Sequence, residues 1–264
     1  MVSPTFDPSS LVPNVFARGL KDESPQFSYL FQTLEKQAKE KLTSDAFGYV
    51  YGSAGEGLTY ENNLNAFKQF SFIPQRLVSF DRVDLSTTLF GKKYPFPIAI
   101  APVGVQTIFH HQGEIATASA ARRCNVPYTM STASATPIED VAKANEDGDR
   151  FYQLYWPANE YNEITASFLK RAQSSGYSAL LVTLDTFVLG WRPSDLDHGY
   201  NPFLRPDRVG VALCLSDPVF QTYYKNKFGH NVEEDSAKAA QEAASVIFPG
   251  KSHSWEDLSF LRKH

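Results

Sequence analysis

Four side chains in this sequence have types and positions that could do chemistry together: Gln153, Tyr155, Asp185 and Arg192. A glutamine amide both donates and accepts, which suits the edge of a heterocycle carrying mixed N–H and C=O groups. Tyr155 offers a hydroxyl able to hold a carboxylate or alkoxide; equally, Tyr152 and Tyr155 could be aromatic packing. Arg192, just after Gly190-Trp191, is a two-pronged clamp for a small carboxylate, or else the partner of Asp185 or Asp195. Gly104, inside Ala101-Pro102-Val103-Gly104-Val105-Gln106, presents bare backbone against which a flat ring could lie without a Cβ clash. The same glycine would also suit a tight strand-to-loop turn.

The remaining reactive residues point to less. None of the six histidines (His110, His111, His198, His230, His253, His264) stands at a metal or triad spacing from an acidic residue, so no general base is identified among them. Gly52-Ser53-Ala54-Gly55-Glu56-Gly57 looks like a nucleotide loop. It lacks the Walker Lys and Ser/Thr and follows a helix-like segment instead of a strand, so it reads as a helix-ending turn. Cys124 and Cys214 form no CxxC pair; they read as reduced packing thiols, Cys124 at the foot of a strand.

These groups need elements to hold them. Four apolar stretches recur at the spacing of strand, loop and helix: 97–102, 125–130, 150–155 and 179–185. That is the rhythm of βα units in a parallel sheet. Gly104, Ser131, Gln153 with Tyr155, and Thr183 with Asp185 fall at or just past their C-terminal ends, where barrel chemistry is housed. Helices are expected at Gln112–Arg123, from Thr136, at Asn162–Ser175, at Ala237–Ile247 and at Ser252–Leu261. Thr136-Pro137-Ile138-Glu139 has the form of a capping box with proline at the first helical position. A closed barrel takes about eight strands, so the four units read as the N-terminal half of an α/β, TIM (β/α)8 barrel.

The division of the chain follows. Residues 1–25 read as a flexible N-terminal arm and 26–95 as a helical extension with Leu64, Phe67 and Phe70 facing inward. Within the extension, 84–94 reads as a small hairpin or capped turn. Residues 96–264 form the half-barrel. Inside it, 186–232 has no clear period and reads as a lid-like loop.

Composition excludes some roles. A formal charge of −4 gives no general attraction to nucleic acid or to an anionic membrane, and no stretch reaches the roughly 18 apolar residues of a membrane span. The start lacks a basic segment followed by an apolar run. A cytoplasmic location is the expectation, with peroxisomal targeting left open should the natural chain end elsewhere.

Taken together, Tyr49-Val50 with its glycine turn, Ile100 to Gln106, Tyr152-Gln153-Leu154-Tyr155, Thr183-Leu184-Asp185-Thr186 and Leu189-Gly190-Trp191-Arg192 resemble the FMN-dependent 2-hydroxy-acid oxidase and dehydrogenase family. The resemblance runs from about residue 28 to the end. Its look is nearest a fungal lactate 2-monooxygenase-like branch, on Gly104, the Trp191-Arg192 pair and the segment 252–258.

The resemblance implies an FMN-binding (β/α)8 barrel with an N-terminal helical extension. It implies oxidation of a small, lactate-like L-2-hydroxy acid by hydride transfer to flavin, with oxygen or another acceptor taking the electrons. Tyr49, Tyr155 and Arg192 would touch substrate. Val103 and Gly104 would lie beside the ring, while Ser131, Gln153 and Thr183 would hydrogen-bond it. Asp185 would orient the catalytic histidine. A homo-oligomer is expected if the barrel is complete. The family's histidine base, flavin-holding lysine and phosphate loops find no match, so the chain is expected to be truncated and nearly inactive alone. A non-catalytic half-barrel binding protein is the alternative.

Overall fold

A computed structural model describes residues 10–79 and 83–264. The N-terminal region holds four helices: α1 (Leu11–Gly19), α2 (Phe31–Lys41), α3 (Ser44–Tyr51) and α4 (Leu58–Ala66). The start of α3 is fixed by Thr43, whose hydroxyl accepts from the Ala46 N–H at 3.2 Å. An antiparallel hairpin follows, β1 (Thr87–Leu89) with β2 (Lys92–Tyr94), its turn made at Phe90-Gly91 with both residues at positive φ. The hairpin expected at 84–94 is thus present.

Two other expectations for this region are corrected. The arm 1–25 contains a helix, α1, although residues 1–9 lie outside the described residues. Leu64, Phe67 and Phe70 do not face inward. They are 53%, 82% and 80% exposed, because among the described residues no layer lies against α4 to cover an apolar stripe.

The remainder alternates helix and strand: α5 (Gly113–Cys124), β3 (Tyr128–Ser131), α6 (Ile138–Asn145), β4 (Arg150–Tyr155), α7 (Asn162–Ser174) and β5 (Ala179–Thr183). The three strands pair in parallel and in chain order. Tyr128 lies opposite Arg150 and Ser131 opposite Gln153; Phe151 lies opposite Ala179 and Tyr155 opposite Thr183. The stretch 97–102 is not a paired strand. It touches β3 at one bridge, Ile100 to Tyr128, because Pro97 and Pro102 bracket it and cannot donate to a ladder. Four expected strands are therefore three and a bridge.

The small side chains of α5 let it lie close: Ala118 and Ala121 are fully buried beside Tyr128 and Met130 of β3. Phe168 of α7 is also fully buried in this core. The capping box at 136–139 does not form, since the Thr136 hydroxyl is drawn to Glu114 at 2.9 Å and Glu139 to Arg171 at 2.8 Å. Cys124 is exposed at the end of α5, against its expected packing role.

Residues 186–232 are not a structureless lid. They hold α8 (Pro193–Asp197), α9 (Ala212–Leu215) and α10 (Pro218–Phe228). Val211, Leu213, Cys214, Phe220 and Tyr224 are fully buried in the same core, and burial pushes the Cys214 thiol well up. Short helices with aromatic contacts escape a periodicity test. The start of α10 is well specified: Asp217 accepts from the N–H groups of Val219 and Phe220, and Pro218 opens the helix. Two further helices end the chain, α11 (Ser236–Ile247) and α12 (Leu258–Lys263). Trp255 stands before α12 and is exposed.

Arg171 ties three of these helices, meeting Glu139 of α6 at 2.8 Å and Asp217 before α10 at 3.1 Å. Its hydrogen bond holds the Glu139 carboxyl below the usual value of 4.5. A carboxyl depressed in the fold stabilises above its unfolded pKa, and that stability is lost as pH falls through the folded one. The Glu139 side chain is half exposed, so the contribution is about 0.2–1 kcal/mol. Glu139→Gln is expected to lower Tm near neutrality and to leave it unchanged at the acid end, where the wild-type advantage has gone. Melts across the acid range check this.

Candidate functional site

The sheet register sets Ser131 opposite Gln153 and Thr183 opposite Tyr155, two residues further along, and side-chain hydrogen bonds join Ser131, Gln153 and Thr183 into a row across the strand tips. Ser131 Oγ donates to Gln153 Oε1 at 3.1 Å, and Gln153 Nε2 donates to Thr183 Oγ1 at 2.7 Å. Gln153 Oε1 also accepts the Thr132 N–H at 3.1 Å. Both lone pairs of the amide oxygen are thereby used, leaving one amide hydrogen of Gln153 and the hydroxyl hydrogen of Thr183 as donors. These suit an acceptor-rich ring edge.

Thr132, which sequence reasoning assigned no role, is the hub beneath them. Fully buried, it donates to the Gln153 carbonyl at 2.6 Å, accepts from the Tyr155 N–H at 3.1 Å and meets the Tyr152 hydroxyl at 3.1 Å. Only its place next to a strand end could have drawn attention to it.

Beside this row runs the turn 103–106. Val103 is 42% exposed at the rim. A Cβ on Gly104 would lie 2.7 Å from Ala133 Cβ and 2.9 Å from Ala133 O, so the glycine lets two strand-tip loops touch. Val105 is fully buried at φ 51°, a left-handed conformation that costs a β-branched residue about 1–3 kcal/mol. Its N–H donates to Ala133 O at 2.9 Å. The Gln106 amide donates to Val103 O at 2.8 Å, closing the turn.

A second cluster forms where α3 meets α8. The Arg192 guanidinium lies 4.6 Å from the centre of the Tyr49 ring, donates to the Tyr49 carbonyl and pairs with Asp195 at 2.7 Å. Of the partners open to Arg192 from sequence, Asp195 is the one it meets. Burial pushes the Tyr49 phenol up to about 12, opposed by the charge of Arg192. Tyr155, half-buried against Phe248 with ring centres 5.0 Å apart, is also raised, mainly by burial and further by Asp185, while Arg192 opposes. Tyr49, Tyr155 and Arg192 therefore share one electrostatic neighbourhood. Asp185 stands exposed at its rim, accepting from the Thr186 hydroxyl at 3.2 Å. A cleft lined by Tyr49, Trp191, Arg192, Asp195 and Tyr200 measures about 420 Å³.

Two glycines make this second cluster possible. A Cβ on Gly48 would fall 2.6 Å from Ser194 Oγ, and one on Gly52 would fall 2.9 Å from Ser194 Cβ. The Gly55 N–H adds a bond to Trp191 O at 2.9 Å. Gly48→Ala is expected to destabilise by about 1–3 kcal/mol through overpacking. Ser194→Ala, which removes the obstructing oxygen, is expected to recover most of it. Urea melts of both single variants and the double variant check this, and an additive double would show that the contact is loose.

One histidine, His253, lines a cavity together with Thr183 of the row, Trp156 and Trp255. His253 stacks on Trp156 with ring centres 3.8 Å apart, and its Nε2 faces the Pro157 carbonyl at 3.0 Å. His110 and His111 are exposed, their rings 4.3 Å apart. Among the described residues no His/Cys/Asp/Glu group could hold a metal ion, and no helix is long and apolar enough to cross a membrane.

The sequence pattern described as FMN-dependent dehydrogenase matches residues 38–264. An FMN-dependent alpha-hydroxy acid dehydrogenase of Schizosaccharomyces pombe is 54% identical over 98% of this chain and 63% of its own length. An L-lactate oxidase of Lysinibacillus sphaericus is 38% identical over 84% of this chain and 55% of its own. Among solved structures, a mandelate oxidase superposes with a TM-score of 0.68 at 27% identity, covering 87% of this chain and 58% of that one. The chain thus spans less than two thirds of the length of these relatives.

These matches correct the expectation of a truncated, inactive N-terminal half of four units lacking its catalytic part. The family pattern occupies the chain through residue 264, and the fold likeness extends over 87% of it. The fold is of the (β/α)8 flavin-barrel type, three parallel strands and a bridge of it lying within the described residues, and inactivity is no longer a premise.

Proposed function

We propose, from the premise that this chain belongs to the FMN-dependent dehydrogenase family, that it takes part in oxidising a small 2-hydroxy acid. FMN is the cofactor of that family, and oxygen is a fitting final acceptor. The observation that carries the reading is the row Ser131–Gln153–Thr183, with unspent donors on Gln153 and Thr183 beside a glycine turn. The residues present fit a flavin. Val103, exposed at the rim, and the turn at Gly104 lie beside the row, which offers hydrogen bonds to an edge.

Arg192 and the phenols of Tyr49 and Tyr155 would hold the substrate: the guanidinium takes the carboxylate, and the phenols, kept protonated by burial, donate to carboxylate or hydroxyl oxygens. Asp185, at the hydroxyl end, would orient the group that takes up the proton. What FMN supplies when bound is a two-electron acceptor for the hydride of C2. The chain's own work is to place C2, exclude water and fix the carboxylate.

The test is direct. FMN added to the purified chain should lose fluorescence as it binds, and L-lactate added without oxygen should bleach its visible absorbance. Glycolate and mandelate in parallel would rank the substrates. Binding without bleaching by any 2-hydroxy acid would remove the enzymatic reading.

A further inference from the structure

The buried carboxylate of Glu114 has no place in the reading above. It lies on α5, is fully buried, and among the described residues pairs with no cation. Neutral donors alone satisfy it. Oε1 accepts the N–H groups of Gln106 at 3.1 Å and Ala135 at 3.0 Å, and Oε2 accepts the Thr136 hydroxyl at 2.9 Å. Those donors belong to two different loops. Gln106 ends the turn that carries Val103 and Gly104; Ala135 and Thr136 end the loop that begins at Ser131.

We propose that Glu114 is a positioning residue that fixes how these two strand-tip loops pack together, and with it the face they jointly present to the flavin ring. The inference rests on the flavin-binding reading and assigns that site its support.

Three observations lead there. A fully buried carboxyl group that meets only neutral donors from two loops points to a geometric task. Its bonds reach one backbone N–H in each loop, Gln106 and Ala135, beside the direct bond from Val105 N–H to Ala133 O. The contact between the loops also tolerates little movement. A Cβ at 104 would already sit 2.7 Å from Ala133 Cβ, and Val105 is held at positive φ within the same turn. Thr117, on the same helix, backs the device by donating to Gln106 Oε1 at 2.6 Å. One face of α5 therefore holds the turn through both the backbone and the side chain of Gln106.

The test compares wild type, Glu114→Ala, Glu114→Gln and Thr136→Val by FMN fluorescence titration and by the visible spectrum of the bound flavin, with circular dichroism as the check on folding. Glu114→Ala is expected to weaken FMN binding at least about tenfold and to shift the flavin band. Glu114→Gln keeps an acceptor for the two N–H groups and is expected to bind much as wild type does. Thr136→Val removes one bond and is expected to fall between. A residue serving stability alone would lower Tm and leave affinity and spectrum of the folded protein untouched. That outcome in Glu114→Ala overturns the proposal. If Glu114→Ala does not fold, an unchanged affinity and spectrum in Thr136→Val overturns it in the same way. Absence of FMN binding by wild type would defeat the flavin reading and this inference with it, whereas equal binding by all four defeats this inference alone.

Discussion

Arg192→Leu is expected to raise KM for a 2-hydroxy acid by about 30- to 5000-fold while leaving FMN affinity unchanged, since truncating one partner of a desolvated charge pair costs about 2–5 kcal/mol. The prediction separates two roles that the geometry combines. Arg192 is already engaged by Asp195 at 2.7 Å and by the Tyr49 carbonyl, so its loss also strands a carboxyl that burial already raises. Asp195→Asn is the discriminating companion. It removes the negative charge competing for the guanidinium, and KM should fall. Were Arg192 only a scaffold joining α8 to α3, both variants would lower Tm and neither would move KM apart from kcat. Steady-state kinetics with a fixed 2-hydroxy acid, alongside FMN titration, resolves the two.

Gln153→Leu carries the other large effect. The amide is buried and joins three strand tips. Leucine of similar volume leaves the Thr132 N–H, the Ser131 hydroxyl and the Thr183 hydroxyl without that partner. Buried groups so stranded cost about 1–3 kcal/mol each when no rotation rescues them. The two hydroxyls can turn to other acceptors and the Thr132 N–H cannot, so a loss of about 2–4 kcal/mol in stability is expected. FMN affinity should fall at least about tenfold in the protein that remains folded. Gln153→Glu offers the contrast. It keeps size and adds a buried negative charge, so Ser131 and Thr132 still donate while the bond to Thr183 must reverse. A stability loss without any change in flavin affinity would show the row to be scaffolding.

What could be read in advance depended on how local the determinant was. Proline-bracketed 97–102 looked like a strand by hydrophobicity, yet a ladder needs donors on both sides, and only Ile100 makes a bridge. The stripe Leu64, Phe67, Phe70 was real as a pattern; whether it is covered depends on what packs there, and patterns do not report that. Residues 186–232 defeated periodicity because their helices are short and their burial is carried by aromatic contacts such as Phe203 with Phe248, ring centres 4.9 Å apart.

The sequence by itself determined the alternation of strand and helix, the hairpin at 84–94, and the chemical types waiting at the strand tips. Period-two and period-3.6 burial, turn glycines and side-chain donor capacity are all written within a few residues. Tertiary structure alone decided that Asp195 is the carboxylate Arg192 meets, that Thr136 serves Glu114 instead of its own helix, and that Thr132 and Glu114 support the tips. Each of those pairings depends on distances between loops far apart in the chain, fixed only once strand register and helix packing bring them within hydrogen-bond reach.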